Sequence, residues 1–204
     1  MKQKCREARQ DKMNRYLLDT NAFFELVSYL AGKKVRHDEY DYKEVRAGEC
    51  YISRITELEI ISVIGKYGRG EPAQWQNCNR LLSEDGNTMC SQRYFYKGQK
   101  PWKKKVCRDM FKLVKEILSG NSPLLNITVL EVIEDIINRA EGFMMLSSKY
   151  KFGSHDALIV ATSIIHSTKS NILQVVTSDR ALLAAMKEEG MHYIVPGVDE
   201  EKVG

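Results

Sequence analysis

The sequence predicts an α/β protein, with a mainly parallel sheet covered by helices on both faces. Three observations predict it. Short apolar runs of strand length recur along the chain, among them Tyr16-Leu17-Leu18, Cys50-Tyr51-Ile52 and Leu173-Gln174-Val175-Val176. Each is followed within a few residues by a segment with helical apolar spacing. Several of the runs end in small polar or acidic residues, as buried parallel strands do where they hand over to a helix.

The first strand spans 16–19, and Thr20 or Asn21 is expected to cap a helix over 21–31 that Gly32 ends. The charged stretch 33–49, with Tyr40, Tyr42 and Val45 as its apolar positions, predicts a short exposed helix. Cys50 to Ser53 is a second strand, and Thr56 opens an amphipathic helix through Ile60, Ile61, Val63 and Ile64. Pro72 suits the first turn of a helix over 71–82 that carries Trp75, Leu81 and Leu82. Residues 83–100 hold turn-formers and no clear period. Helical spacing returns over 102–118, on Val106, Met110, Phe111, Val114 and Ile117.

Residues 126–129 predict a third strand and 130–146 an amphipathic helix. Asp156 to His166 is a helix buried nearly all round, with Ser154 as its expected cap. The strand 173–177, a helix over 180–188 and a last strand over 192–195 complete the pattern.

The 204 residues suffice for one large domain with a normal core. A hydrophobic content of 43% and a charged content of 28% are ordinary for a globular chain, so composition excludes a disordered or fibrous protein. No apolar run is long enough to span a bilayer, and no membrane partner is expected. The first fifteen residues are basic and polar and lack the apolar core of a signal peptide; they read as a mobile lead-in. The five cysteines are odd in number and never closely paired. That argues against a disulfide framework and against a zinc site, and fits a reducing cytoplasm. A net charge of +4 permits a polyanionic partner without demanding one.

Four acids fall at equivalent places in this pattern. Asp19 ends the first strand, Glu59 lies early in the helix after the second, Asp156 starts the buried helix, and Asp179 follows the strand 173–177. Strand carboxyl ends and the helix starts that follow them share one edge of a parallel sheet, where such folds place their ligands. Taken singly, each aspartate is most simply a helix cap and Glu59 a solvated helix residue. Taken together, four converging carboxylates repel one another and call for a hard divalent cation, Mg²⁺ or Mn²⁺.

In these residues the chain resembles a PIN domain, in particular the VapC-like toxin ribonucleases. The matching segments are Tyr16-Leu17-Leu18-Asp19-Thr20-Asn21, Ser53-Arg54-Ile55-Thr56-Glu57-Leu58-Glu59-Ile60, His155-Asp156-Ala157-Leu158-Ile159-Val160-Ala161-Thr162 and Val176-Thr177-Ser178-Asp179, with Ile194-Val195-Pro196 near the end. The resemblance implies an α/β/α sandwich and a metal-dependent endoribonuclease that leaves a 3′-hydroxyl and a 5′-phosphate. It implies Asp19, Glu59, Asp156 and Asp179 as catalytic and metal-binding residues, with Thr20, Asn21 and Thr177 in support. Glu59 is preferred to Glu57 because the family places its glutamate third after the threonine, here Thr56. It implies RNA as substrate, a possible antitoxin protein and a possible homodimer. Residues 16–204 would form the nuclease domain, with 1–15 as lead-in. The chain departs from small members in that lead-in and in a helical, partly basic insertion at about 71–122. The competing expectations are a PIN-like binding module without catalytic activity, and a phosphoryl-transfer domain using Asp19. The latter usually needs a second carboxylate two residues on, where this chain has Asn21.

From Arg93 to Lys105 the chain has no acid and interleaves aromatic residues with cations. Arg93, Lys97, Lys100, Trp102, Lys103, Lys104 and Lys105 are candidates for nucleic-acid contact, cations to phosphates and rings to bases. The bland alternative packs the rings on the core and leaves the lysines solvated. His155 reads as a helix-start or packing residue.

Overall fold

The computed structural model describes residues 13–33, 35, 39–78 and 90–197, with the backbone alone at 39–41. The lead-in therefore lies mostly outside the described residues, as do Leu81 and Leu82. Five parallel strands form one sheet in the order β5 (Ile127–Leu130), β2 (Glu49–Ser53), β1 (Arg15–Leu18), β6 (Leu173–Val176), β7 (Tyr193–Ile194). The expected α/β architecture is the one observed.

Side-chain alternation along the strands divides the core in two. Tyr16 and Leu18 of β1 and Cys50 and Ile52 of β2 face one side. There they meet α1 (Thr20–Leu30), α2 (Glu39–Ala47), α3 (Arg54–Arg69) and α4 (Lys104–Leu118). Leu17, Leu173 and Val175 face the other side. They meet α5 (Glu134–Met144), α6 (Ser147–Tyr150), α7 (Ser154–His166) and α8 (Arg180–Glu188). The result is a three-layer α/β/α sandwich. Phe23 is fully buried in the first layer, and truncating such a ring to alanine costs about 3–5 kcal/mol.

The chain runs from β1 outward to β2 and β5, then crosses back to β6 on the other side of β1. The strand order therefore reverses between β1 and β6. Open α/β sheets bind ligands at such a switch point, just beyond the strand carboxyl ends.

Several local expectations are corrected. The cap of α1 is Asp19 itself, whose Oδ1 accepts from the Ala22 amide at 2.6 Å. The helix within 33–49 is not merely exposed, because Tyr42 and Val45 are buried in the core. The N-cap of α7 is Gly153, with Ser154 as the first helical residue. Residues 130–146 form a helix only from Glu134, since Ile127–Leu130 is strand, and α6 was not anticipated.

The largest correction concerns 71–82. Gln74–Asn77 is a strand, β3, paired antiparallel with β4 (Arg93–Tyr96), which lies in the stretch that showed no period. The described part of the insertion is thus a β-hairpin followed by α4, not a pair of helices. Pro72 precedes the strand and does not open a helix. The Gln-Trp-Gln-Asn run holds a single apolar residue, too few to show either period. No described helix is long and apolar enough to cross a membrane.

Candidate active site at the carboxyl edge

Asp19 follows β1 directly, and its amide donates to the Val176 carbonyl at 3.1 Å, continuing the β1–β6 ladder. Its side chain is only 3% exposed. Burial is the main reason its carboxyl is pushed up to about 7 from an ordinary value of 3.8. The Ala22 amide and the Thr177 hydroxyl, both bonded to it, pull the other way, and the charges of Asp156 and Asp179 add to the rise.

Thr177 joins two of the acids. Fully buried after β6, it bonds Asp19 through its hydroxyl, and the same oxygen accepts from the Asp179 amide at 3.0 Å. Asp179 caps α8, its Oδ1 accepting from the Ala181 and Leu182 amides at 2.8 and 3.1 Å. Asp156 sits in the first turn of α7, its Oδ2 accepting from the Gly153 amide at 2.9 Å. This is half of a capping box, since Gly153 has no side chain to complete it. The Asp156 carboxyl is also raised, by burial first and then by the charges of Asp179 and Glu59.

Each aspartate thus does the structural work of a helix start, and all three crowd one another electrostatically. The helix-start role expected of each aspartate taken singly is the one observed. The helix-start amides orient one carboxylate oxygen, and the local charge density is what burial makes costly.

Glu59 is placed differently. It lies near the start of α3, accepts from the Thr20 hydroxyl through Oε2 and meets Nδ1 of His155 through Oε1. Both of its oxygens are therefore engaged. Glu57, the competing glutamate, pairs with Arg54, which also pairs with Glu131. Asn21 is exposed and joins none of these hydrogen bonds among the described residues. His155 is the site residue whose contact sequence reasoning missed. Its adjacency to Asp156 was the available signal, but nothing local indicated that α3 would bring Glu59 to it.

No protein-family model matches the chain, and no curated protein sequence matches it. Several solved structures are similar to it in fold. One is FitAcB from Neisseria gonorrhoeae, 16% identical, covering 88% of this chain and 96% of that one with a TM-score of 0.49. Another is VapBC2 from Rickettsia felis bound to a DNA fragment from their promoter, 11% identical, covering 89% and 98% with a TM-score of 0.49. A third is a toxin-antitoxin complex from Klebsiella pneumoniae, 18% identical, covering 80% and 88% with a TM-score of 0.37. Such distant likenesses carry no argument about activity, which has to come from the carboxylates.

The donor chemistry suits a hard cation. Asp19, Asp156 and Asp179 offer only oxygen, the ligand that Mg²⁺ and Mn²⁺ take. As they stand, no three His, Cys, Asp or Glu side chains among the described residues are gathered closely enough to hold one ion. Mg²⁺ usually keeps several waters and needs only one or two carboxylates directly. The residues therefore fit a water-rich cation site and not a closed protein cage.

Of the basic candidates, Arg93, Lys97, Lys100, Lys103, Lys104 and Lys105 are exposed. Trp102 is not free to stack on a base. Its ring lies 4.6 Å from that of Tyr67 and 6.2 Å from that of Phe24, half-buried against the core. For this residue the packing alternative is the one observed.

Proposed function

We propose that this chain is a Mg²⁺- or Mn²⁺-dependent endoribonuclease of the PIN type that hydrolyses RNA phosphodiester bonds. The observation that carries the reading is the buried Asp19 carboxyl at the β1–β6 switch point, raised to about 7 by burial and by the charges of Asp156 and Asp179. A protein has little reason to bury one carboxylate among others unless a cation offsets the cost. Asp19, Asp156 and Asp179 would hold the ion, with Glu59 as a further ligand once released by Thr20 or His155. A bound cation supplies charge neutralisation at the scissile phosphate and a more acidic water. The chain's own part is to orient the carboxylates. Thr177 holds Asp19 and Asp179 in fixed relation, and the Gly153, Ala181 and Leu182 amides fix one oxygen each of Asp156 and Asp179.

The test is cleavage of single-stranded and structured RNA with Mg²⁺ or Mn²⁺. Asp19→Asn and Asp156→Asn should each abolish cleavage while the fold persists. Full metal-dependent activity in either variant removes the main support.

A second reading has its own observation. The acids are not gathered around one ion position, and both Glu59 oxygens are engaged. That favours a binding module of the same fold without catalysis. Such a module would bind RNA or protein equally well with Asp19→Asn and never cleave. The toxin role, the cytoplasmic setting and an antitoxin partner rest on the motif resemblance. A short reading frame immediately upstream, whose product suppresses cleavage, would support them.

A further inference from the structure

The β3–β4 hairpin stands out because its largest side chains are in neither core cluster. Trp75 and Phe95 are directly opposed in the ladder, their rings 5.6 Å apart and edge to face. They remain 62% and 52% exposed, and Tyr94 on the opposite face is 47% exposed. A cross-strand aromatic pair steadies a ribbon, but that role does not require both rings to stay in water.

The base of the ribbon is firmly held. Glu71 and Gln99 exchange backbone hydrogen bonds of 2.9 and 2.8 Å, and the Trp102 amide donates to the Tyr67 carbonyl at 2.9 Å. Gly70 and Gly98 have φ of +72° and +77°, and a Cβ on either would press into backbone atoms of the facing strand segment. The chain thus positions the ribbon at its root and leaves its rings uncovered by described residues.

The charge carried by the β4 side of the ribbon has one sign. No acid occurs from Cys90 to Arg108, a stretch that contains Arg93, Lys97, Lys100, Lys103, Lys104 and Lys105. Arg93 lies two residues before Phe95 and so shares its face. Glu71, at the root, is paired with Lys66 at 2.7 Å. A protein-docking patch is usually depleted of lysine. Exposed rings set among lysines and arginines match a polyphosphate chain with unstacked bases.

We propose that the β3–β4 hairpin is a stacking platform for single-stranded RNA, with bases on Trp75 and Phe95 and phosphates on Arg93 and the lysines that follow. The proposal rests on the ribonuclease reading for its choice of RNA. Glu59 and Arg69 at the hairpin end of α3 are about 15 Å apart along the helix, so a single strand of modest length contacts both regions.

The experiment uses the full chain in EDTA, so that binding is read without cleavage. Trp75 and Trp102 are the two tryptophans, and Trp102→Phe leaves Trp75 as the sole tryptophan, excited apart from the tyrosines at the red edge, with the hairpin unaltered. Titration with an oligouridylate should quench Trp75 emission. Trp75→Leu should weaken RNA binding roughly tenfold, and Trp75→Phe should retain it. Duplex RNA, whose bases are already stacked, should bind more weakly than the single strand. Unchanged Trp75 emission at saturating RNA overturns the proposal, as does a duplex that binds equally well. Cleavage by the parent chain with Mg²⁺ separates the two ideas. A chain that binds through Trp75 but never cleaves with Mg²⁺ defeats the ribonuclease reading alone. A chain that cleaves while Trp75 stays silent defeats the platform alone.

Discussion

His155 meets Glu59 through Nδ1, so the first turn of α7 is joined to α3 across the edge where the sheet's carboxylates lie. The histidine is 57% and the glutamate 28% exposed, and pairs this open contribute at most about 1 kcal/mol. His155→Ala is therefore expected to keep the parent's melting temperature to within a few degrees. It frees one Glu59 oxygen, so Mn²⁺ affinity measured by calorimetric titration should rise several-fold. Unchanged affinity would place Glu59 outside the ion's ligand set.

The raised Asp19 carboxyl makes stability depend on pH in a definite direction. The folded state keeps this proton up to about 7, whereas the unfolded chain releases it near 3.8. Stability therefore falls as pH rises between those values, and the penalty is fully present above about 7 and absent below about 3.8. Asn preserves the capping oxygen but cannot ionise. In EDTA, Asp19→Asn should be more stable than the parent at about pH 8 by on the order of a few kcal/mol, with the gap closing toward pH 4. Denaturant unfolding at several pH values gives the gap directly, and a gap that does not vary with pH contradicts this account.

A cation that offsets the crowding of Asp19, Asp156 and Asp179 must stabilise the fold by mass action. Melting temperature should climb with Mn²⁺ or Mg²⁺ concentration, by about 2.7 kcal/mol in stability at a hundredfold excess over Kd. The climb should be larger above pH 7, where Asp19 is ionised. Asp156→Asn should flatten it. A parent protein whose melting ignores both ions has no cation site at this edge.

The lysines at the start of α4 sit where the helix's own partial positive charge makes cations unfavourable, and Lys103 supplies no side-chain cap. Replacing Lys103, Lys104 and Lys105 together with alanine should thus not cost fold stability. It should lower the slope of log affinity for single-stranded RNA against log salt by up to about 2. An identical slope would leave these lysines as a solvated face.

Thr56 carries a buried hydroxyl with no hydrogen-bond partner among the described residues. A buried unpaired hydroxyl costs about 1–3 kcal/mol, and valine has the same shape without it. Thr56→Val is expected to raise stability on the order of 1 kcal/mol in denaturant unfolding. A loss of stability would mean that the hydroxyl has a partner in solution.

Local pattern alone determined most of the architecture. Tyr16 to Leu18, Ile52 and Val175 announce buried strands because a strand covered on both faces is apolar throughout, and that property survives without neighbours. The positions of Asp19, Asp156 and Asp179 at strand ends and helix starts were legible for the same reason, since capping is a matter of a few adjacent residues. What tertiary structure decided was contact between elements far apart in the chain. Glu59 turns to Thr20 and His155, Tyr42 goes inside, Trp102 packs on Tyr67 and Phe24, and Trp75 faces Phe95 in a ribbon where the sequence suggested a helix. The Trp75 region shows why. Ladder hydrogen bonds between residues some twenty positions apart stabilise a hairpin, and a window read along one strand contains only half of each pair.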